Sequence, residues 1–113
     1  IKSKLKVNGD KTLLKFLITN LFSNALAAAS SPEKIRISIN QNKNNLQISI
    51  SNDGAENVFD CHSLFDRGYT TKKNGNGLGL DLSKTIVELH NGSISARKLN
   101  SNEIEFSVEI PIN

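Results

Sequence analysis

Apolar residues in the first third of the chain recur at helical spacing. Leu13, Leu14, Phe16, Leu17, Ile18, Leu21, Phe22, Ala25 and Leu26 occupy so much of the circumference of a 3.6-residue helix that little polar surface remains. The pattern predicts a deeply packed helix with Asp10 as N-cap, running to about Ala29, where Ser30-Ser31-Pro32 ends it. The period then changes to two. Ile35, Ile37 and Ile39 alternate with Lys34, Arg36 and Ser38, and Leu46, Ile48 and Ile50 alternate with Gln47, Ser49 and Ser51. Asn42-Lys43-Asn44-Asn45 between them is turn-forming, so a half-buried hairpin is expected. Over 52–76 the period is lost except for a short apolar patch at 58–65, and a loop this long in a compact domain is usually functional. An amphipathic helix follows over about 80–90, stopped by Gly92. A second hairpin sets Ile94 and Ala96 against Ile104, Phe106, Val108 and Ile110 through Asn100-Ser101-Asn102. There are no internal repeats. The order of elements predicts an α/β two-layer sandwich with one face of the sheet covered.

Composition narrows this to one domain spanning 1–113, since 113 residues give a real core but no room for a second. Fourteen Lys and Arg against 11 acids leave a net charge of +3, too mild and scattered to imply nucleic-acid binding. Lys2, Lys4 and Lys6 form a basic cluster that reads as the solvated face of a strand. No apolar run is long enough to cross a membrane and no signal peptide is present. The single Cys61 permits no internal disulfide and fits a reducing cytosol; with only His62 and His90 for company it builds no zinc site. The abrupt start and the absence of Met predict a piece of a larger protein.

Chemistry concentrates at Gly75-Asn76-Gly77-Leu78-Gly79-Leu80. Alternate glycines let the backbone approach a bulky ligand, and a glycine loop opening onto a helix offers unpaired N–H groups and a positive dipole end to phosphate. No Gly-Lys-Ser/Thr follows, and G-x-G-x-G is not the G-x-G-x-x-G of dinucleotide folds, which leaves a rarer nucleotide site. Upstream, Asn20 and Asn24 lie four residues apart on one face of an apolar helix. Either they cap a loop or pair with each other, or an amide oxygen serves as a hard neutral ligand for Mg²⁺ bridged to phosphates.

Together these motifs resemble the ATP-binding catalytic domain of sensor histidine kinases, which share their fold with gyrase, the MutL mismatch-repair proteins and the large heat-shock chaperones. Asn20-Leu21-Phe22-Ser23-Asn24-Ala25 resembles the family's N box, with Asn24 at the magnesium-ligand position. Ile50-Ser51-Asn52-Asp53-Gly54 resembles the first glycine box, which reads adenine. Leu64-Phe65-Asp66-Arg67-Gly68-Tyr69-Thr70-Thr71-Lys72 resembles the phenylalanine-containing lid segment, and the glycine run at 75–80 the second glycine box, which holds the phosphates. The resemblance covers nearly the whole chain. It implies a Bergerat-type ATP-binding fold: a mixed, mostly antiparallel sheet with helices on one face, a lid over about 53–76, and ATP between helix and lid.

Departures from the family pattern carry information. ATP-hydrolysing members place a glutamate general base four residues before the N-box asparagine; here Asn20 stands there and takes no proton at neutral pH. This favours transfer to a protein acceptor over a gyrase-type ATPase. Ala27 and Ala28 replace the cation and aromatic common after the N box, so Lys72, Lys73 or Arg67 would supply charge from the lid, unless Lys72 is a solvated loop lysine. In the first glycine box, Asn52 stands at the adenine position and Glu56 where a second glycine belongs. Strand phase puts Asn52 inward with Ile48 and Ile50, and Asp53 outward or capping the turn at Gly54; the alternative is that Asp53 swings in to read the base. Neither His62 nor His90 reads as a phosphoacceptor.

The resemblance thus implies γ-phosphoryl transfer from ATP to a histidine on a separate dimerisation domain of the same protein, with a response regulator downstream. In that scheme Asn24 holds Mg²⁺ and Asn20 supports ion or phosphate. Asn52, Asp53 and Gly54 form the base end, and Gly75, Asn76, Gly77, Leu78, Gly79 and Leu80 the phosphate end. Thr70, Thr71 and Lys72 close over the nucleotide, and Asp81 points away from it. The competing readings are a nucleotide-binding switch without transfer and, more distantly, the gyrase-type ATPase. No nucleic acid and no direct membrane contact are expected; the domain belongs in the cytoplasm, with or without an anchor elsewhere in the parent protein.

Overall fold

Period-two alternation becomes two hairpins of one sheet. In the computed structural model, which describes residues 11–66 and 78–111, β1 (Arg36–Gln41) pairs with β2 (Asn45–Asn52), and β3 (Ser93–Lys98) pairs with β4 (Ile104–Pro111). The hairpins join through β2 and β4, giving the order β1-β2-β4-β3. Every pairing among the described residues is antiparallel. Both connecting turns are asparagine turns. The Asn42 Oδ1 accepts the amides of Asn44 and Asn45, and the Asn100 Oδ1 accepts those of Asn102 and Glu103, as short amide side chains do when they mimic a backbone turn.

Helices α1 (Lys11–Ala28) and α2 (Leu78–Leu89) lie side by side on one face, α1 chiefly over β2 and α2 over β3 and β4. Leu46, Ile48 and Ile50 of β2 and Ile104, Phe106, Val108 and Ile110 of β4 point into this layer and are buried. The opposite face is polar. Ser38, Ser49, Ser107 and Ser95 stand in register across all four strands, as alternation requires of a sheet with one wet side. This is the two-layer α/β sandwich that the element order predicts.

Three expectations are corrected. First, α1 is not deeply packed. A helix resting on a sheet buries one stripe, here Leu17, Leu21 and Ala25, while Phe16, Ile18, Phe22 and Leu26 remain 39–44% exposed. The Asp10 cap and the side chains of Leu13 and Leu14 lie outside the described residues. Second, the first hairpin is half-buried only in β2. β1 is an edge strand and is exposed throughout, Ile37 and Ile39 included. Third, α2 is stopped by Asn91 rather than Gly92. Asn91 takes φ +62°, its amide donates to the Glu88 carbonyl, and the Gly92 amide reaches back to Val87 at 2.9 Å, the Schellman arrangement. Gly92 is needed one step later, where a Cβ would run into the carbonyl oxygen of Glu109 on β4.

The buried stripe of α1 makes a checkable distinction between neighbours. Leu21→Ala should destabilise the chain by about 2–5 kcal/mol, the usual loss for a truncated buried leucine, whereas Phe22→Ala should cost much less. Chemical denaturation of the two variants measures this directly, and equal losses would mean that α1 is buried on both sides.

Candidate functional site

The site is laid out by the end of β2. Strand phase carries Ile48 and Ile50 inward, and Asn52 continues on their side, 1% exposed. Its Nδ2 donates to the Asp53 carbonyl, which fixes the amide, since the reversed orientation would set two oxygens against each other. Its Oδ1 is enclosed and has no hydrogen-bond partner among the described residues. An unpartnered buried acceptor costs roughly 1–3 kcal/mol, so this position is complementary to a donor that the described residues do not provide.

Asp53 takes neither of its expected positions, outward or capping the turn at Gly54. It is buried, and its carboxylate binds the residues just past α1, accepting from the Ser30 hydroxyl and, at 2.9 Å, from the Ser30 amide. The hydroxyl, then the amide, hold its carboxyl below the usual aspartate range, against burial, which pushes the other way. Gly54 follows at φ +87°, and a Cβ there would collide with the carbonyl oxygen of Ala28; no other residue meets both demands. The Gly54 amide donates to the Asn102 Oδ1 at 3.0 Å, and the Ala55 amide to the Asn102 carbonyl at 2.9 Å. Segment 52–55 is therefore fastened to the end of α1 on one side and to the β3–β4 turn on the other.

Asn20 and Asn24 are half-buried on α1. Helical spacing places them along one margin of the Leu17–Leu21–Ala25 stripe, with Ile18, Phe22 and Leu26 along the other. Leu78, Gly79 and Leu80 form the first turn of α2. The Leu80 side chain belongs to the core, which leaves its backbone as the part able to meet a ligand. Asp81 does not simply face outward: it is half-buried and its Oδ1 is enclosed with no hydrogen-bond partner among the described residues. Thr70, Thr71, Lys72, Gly75, Asn76 and Gly77, and with them most of the expected phosphate end, lie outside the described residues. The described start of the lid is well packed. A 3₁₀ turn at Cys61–Phe65 is capped by Asp60, whose carboxylate accepts from the Ser63 hydroxyl at 2.8 Å and the His62 amide at 3.0 Å. Leu64 is buried, and Phe65 meets Phe106 edge-on with ring centres 6.2 Å apart. His62 is exposed, whereas His90 is buried with Nδ1 on the Ile86 carbonyl at 2.7 Å.

Ser30, Lys98 and Asn102 hold the site but do not stand out as motif residues. Lys98 left one readable trace. Ile94, Ala96 and Lys98 share a phase, so a lysine occupies an inward position of β3, and its ammonium donates to the carbonyls of Ala55 at 2.6 Å and Val58 at 3.0 Å.

Residues 9–113 match the family model described as histidine kinase-, DNA gyrase B- and HSP90-like ATPase. The chain belongs to that family. It is 38% identical over 109 residues to the signal transduction histidine-protein kinase AtoS of Escherichia coli (strain K12), a match covering 95% of this chain and 18% of AtoS. It is 35% identical over 108 residues to the heme sensor protein HssS of Staphylococcus aureus (strain JH9), covering 93% of this chain and 24% of HssS. The chain thus spans less than a quarter of these relatives. Among solved structures it is similar to the nucleotide-free catalytic domain of histidine kinase ThkA, with TM-score 0.78, 30% identity, and coverage of 94% of this chain and 70% of that one. The mycobacterial sensor histidine kinase MprB shares the fold at TM-score 0.78 and 20% identity, covering 95% of this chain and 75% of that one. Among the described residues of this family member, no helix is long and apolar enough to cross a membrane.

The Asp53–Ser30 contact has a pH signature. A carboxyl whose folded pKa is depressed adds stability that is complete above the unfolded value, about 3.9 for aspartate, and is lost as pH falls through the folded value. Urea midpoints measured from pH 6 downward should therefore fall more steeply below about pH 4 in the wild-type chain than in Asp53→Asn. Parallel profiles would show that Ser30 does not favour the ionised form.

Proposed function

We propose that this chain is the ATP-binding catalytic domain of a two-component sensor histidine kinase, handing the γ-phosphoryl group of ATP to a histidine on a separate dimerisation domain of the same protein. The observation that carries the reading is Asn52, whose buried and fixed Oδ1, without a partner among the described residues, matches the 6-amino group of adenine and mismatches the 6-carbonyl of guanine. The neighbours support it: Gly54 lets the backbone pass against the Ala28 carbonyl, which holds Asn52 in place, and α2 offers its N-terminal end to phosphate.

The groups present fit a magnesium nucleotide. Among the described residues no set of three or more His, Cys, Asp or Glu side chains could hold a metal, so a Mg²⁺ ion would rest on the Asn24 amide oxygen, substrate phosphates and water, the mixed coordination this ion accepts. When bound, Mg²⁺ neutralises phosphate charge in a loose, highly charged transition state, where catalysis is mainly positioning. The chain's own share is to orient. Asn52 would fix the base, and by the family resemblance Gly75, Gly77 and Gly79 would meet the phosphates while Thr70, Thr71 and Lys72 would cover them. Asn20 occupies the place of a general base and cannot deprotonate water, so the phosphoryl group is kept for the partner's imidazole. The partners are the histidine-bearing domain and, downstream, a response regulator; no nucleic acid or membrane contact by this chain is part of the proposal.

Two measurements test it. In calorimetry, Asn52→Ala should weaken ATP binding by roughly 1–3 kcal/mol, and Asn24→Ala should abolish its dependence on Mg²⁺; full affinity and full metal response in both variants would remove the site. With ATP alone the chain should release phosphate very slowly, and with the parent protein's histidine-bearing domain added it should yield an acid-labile, base-stable phosphoprotein. Rapid steady-state hydrolysis by the chain alone would instead identify an ATPase of the gyrase type.

A further inference from the structure

We propose that Lys98 is a positioning residue that sets the base selectivity of the nucleotide site; the inference rests on the reading of Asn52 as the base-facing acceptor. Lys98 stands at the inner register of β3, opposite Ile104, half-buried beside the core. Among the described residues no carboxylate pairs with it. An ammonium taken partly out of water must be compensated by acceptors, and those it has are the Ala55 and Val58 carbonyls, 2.6 and 3.0 Å away. The same short segment is closed by the Val58 amide on the Ala55 carbonyl at 3.1 Å. The Ala55 carbonyl therefore accepts from two donors, a backbone amide and a cation.

The consequence travels through a single peptide plane. The Asp53–Gly54 peptide offers its C=O to the Asn52 Nδ2 and its N–H to the Asn102 Oδ1. Its orientation decides which way the Asn52 amide lies, and so whether Oδ1 or Nδ2 is left for a ligand. One residue further on, the Ala55 amide is held by the Asn102 carbonyl and the Ala55 carbonyl by Lys98. Lys98 and Asn102, at the two ends of the β3–β4 connection, thus clamp the chain on the far side of Gly54, whose lack of a side chain removes the usual barrier to rotating the adjoining peptide planes. Without the clamp the Asp53–Gly54 plane can turn over, the Asn52 amide can follow it, and Asn52 would offer a ligand a donor as readily as an acceptor. The clamp also stands where a second glycine would have left the segment loose and Glu56 is found instead.

The test compares ATP and GTP binding by the whole chain with Lys98→Met, which keeps the apolar stem and removes the charge, and with Lys98→Arg, which restores a cation. The wild-type chain should prefer ATP. Lys98→Met should lose ATP affinity about tenfold and keep inorganic tripolyphosphate affinity, so that its ATP-to-GTP ratio falls by a similar factor, and Lys98→Arg should recover most of the ratio. Exchange of the Gly54 and Ala55 amides should quicken in Lys98→Met. If that variant does not fold, Asn102→Ala, which frees the Gly54 amide, should show the same narrowed ratio at a melting temperature near wild type. An unchanged ratio in folded Lys98→Met or Asn102→Ala would make Lys98 merely structural and overturn the proposal while leaving the nucleotide reading intact. A wild-type chain that binds ATP without preferring it to GTP would overturn both this role and that of Asn52.

Discussion

The close passage of Gly54 beneath the end of α1 is the constraint on which the rest of the site depends. At that point the backbone leaving β2 comes so near the Ala28 carbonyl that a side chain cannot be interposed, and it does so at φ +87°. The contact joins the two layers at the place where strand, helix and lid diverge. Because β2 is a central strand, held by β1 on one side and β4 on the other, its end is as rigid as anything in the sheet. Asn52 is thereby presented from a fixed platform, which is where a recognition group needs to stand if its geometry is to discriminate between ligands. Asp53 and Ser30 close the same junction from behind.

Much of this was legible from the residues, and the limits are physical. Period-two alternation located both hairpins because one face of the sheet is buried, and the phase of Ile48 and Ile50 placed Asn52 inward for the same reason. The helix α1 was misjudged because hydrophobic composition counts residues without knowing how many neighbours will cover them; with one sheet and one helix beside it, α1 buries a single stripe. β1 shows the same error in miniature, since alternation cannot say that a strand will lie at an edge. Asp53 was misplaced because a reading by strand phase assumes that the strand continues. The chain turns at Gly54, and a carboxylate at a turn goes to the nearest donors, here the hydroxyl and amide of Ser30. The contacts of Asn102 and Lys98 were beyond reach for another reason: their partners are main-chain groups forty or more residues away in sequence, and backbone donors and acceptors leave no trace in residue identity.

The exposed margin of α1 follows from the same geometry. Asn20 and Asn24 run along one side of the buried stripe, and Ile18, Phe22 and Leu26 along the other. The apolar row therefore cannot be recruited to the nucleotide side without rotating the helix and lifting Leu17, Leu21 and Ala25 out of the core. The four-residue spacing of these rows sets Ile18, Phe22 and Leu26 apart from the two asparagines, while Phe16, one turn before Asn20, adds an exposed ring to the polar margin.

The order of the two residues before Gly54 has an energetic meaning within the proposed function. Where the family pattern sets an aspartate against adenine, this chain sets a neutral amide, and the carboxylate one position later is turned to Ser30. Hydrogen bonds to charged groups contribute about 1.5–3 kcal/mol against about 0.5–1.5 for neutral pairs, so the direct contact to the base is the weaker kind. A weaker contact discriminates well only if its geometry is set beforehand, because ordering a mobile group on binding would consume much of what it gains. The fixed amide of Asn52, the Asn102 contacts and the Lys98 ammonium supply that order in advance. Neutrality has a second effect. An amide does not titrate, so recognition of the base is insulated from pH, and the acid sensitivity of this region is transferred to the Asp53–Ser30 junction that holds helix and strand together.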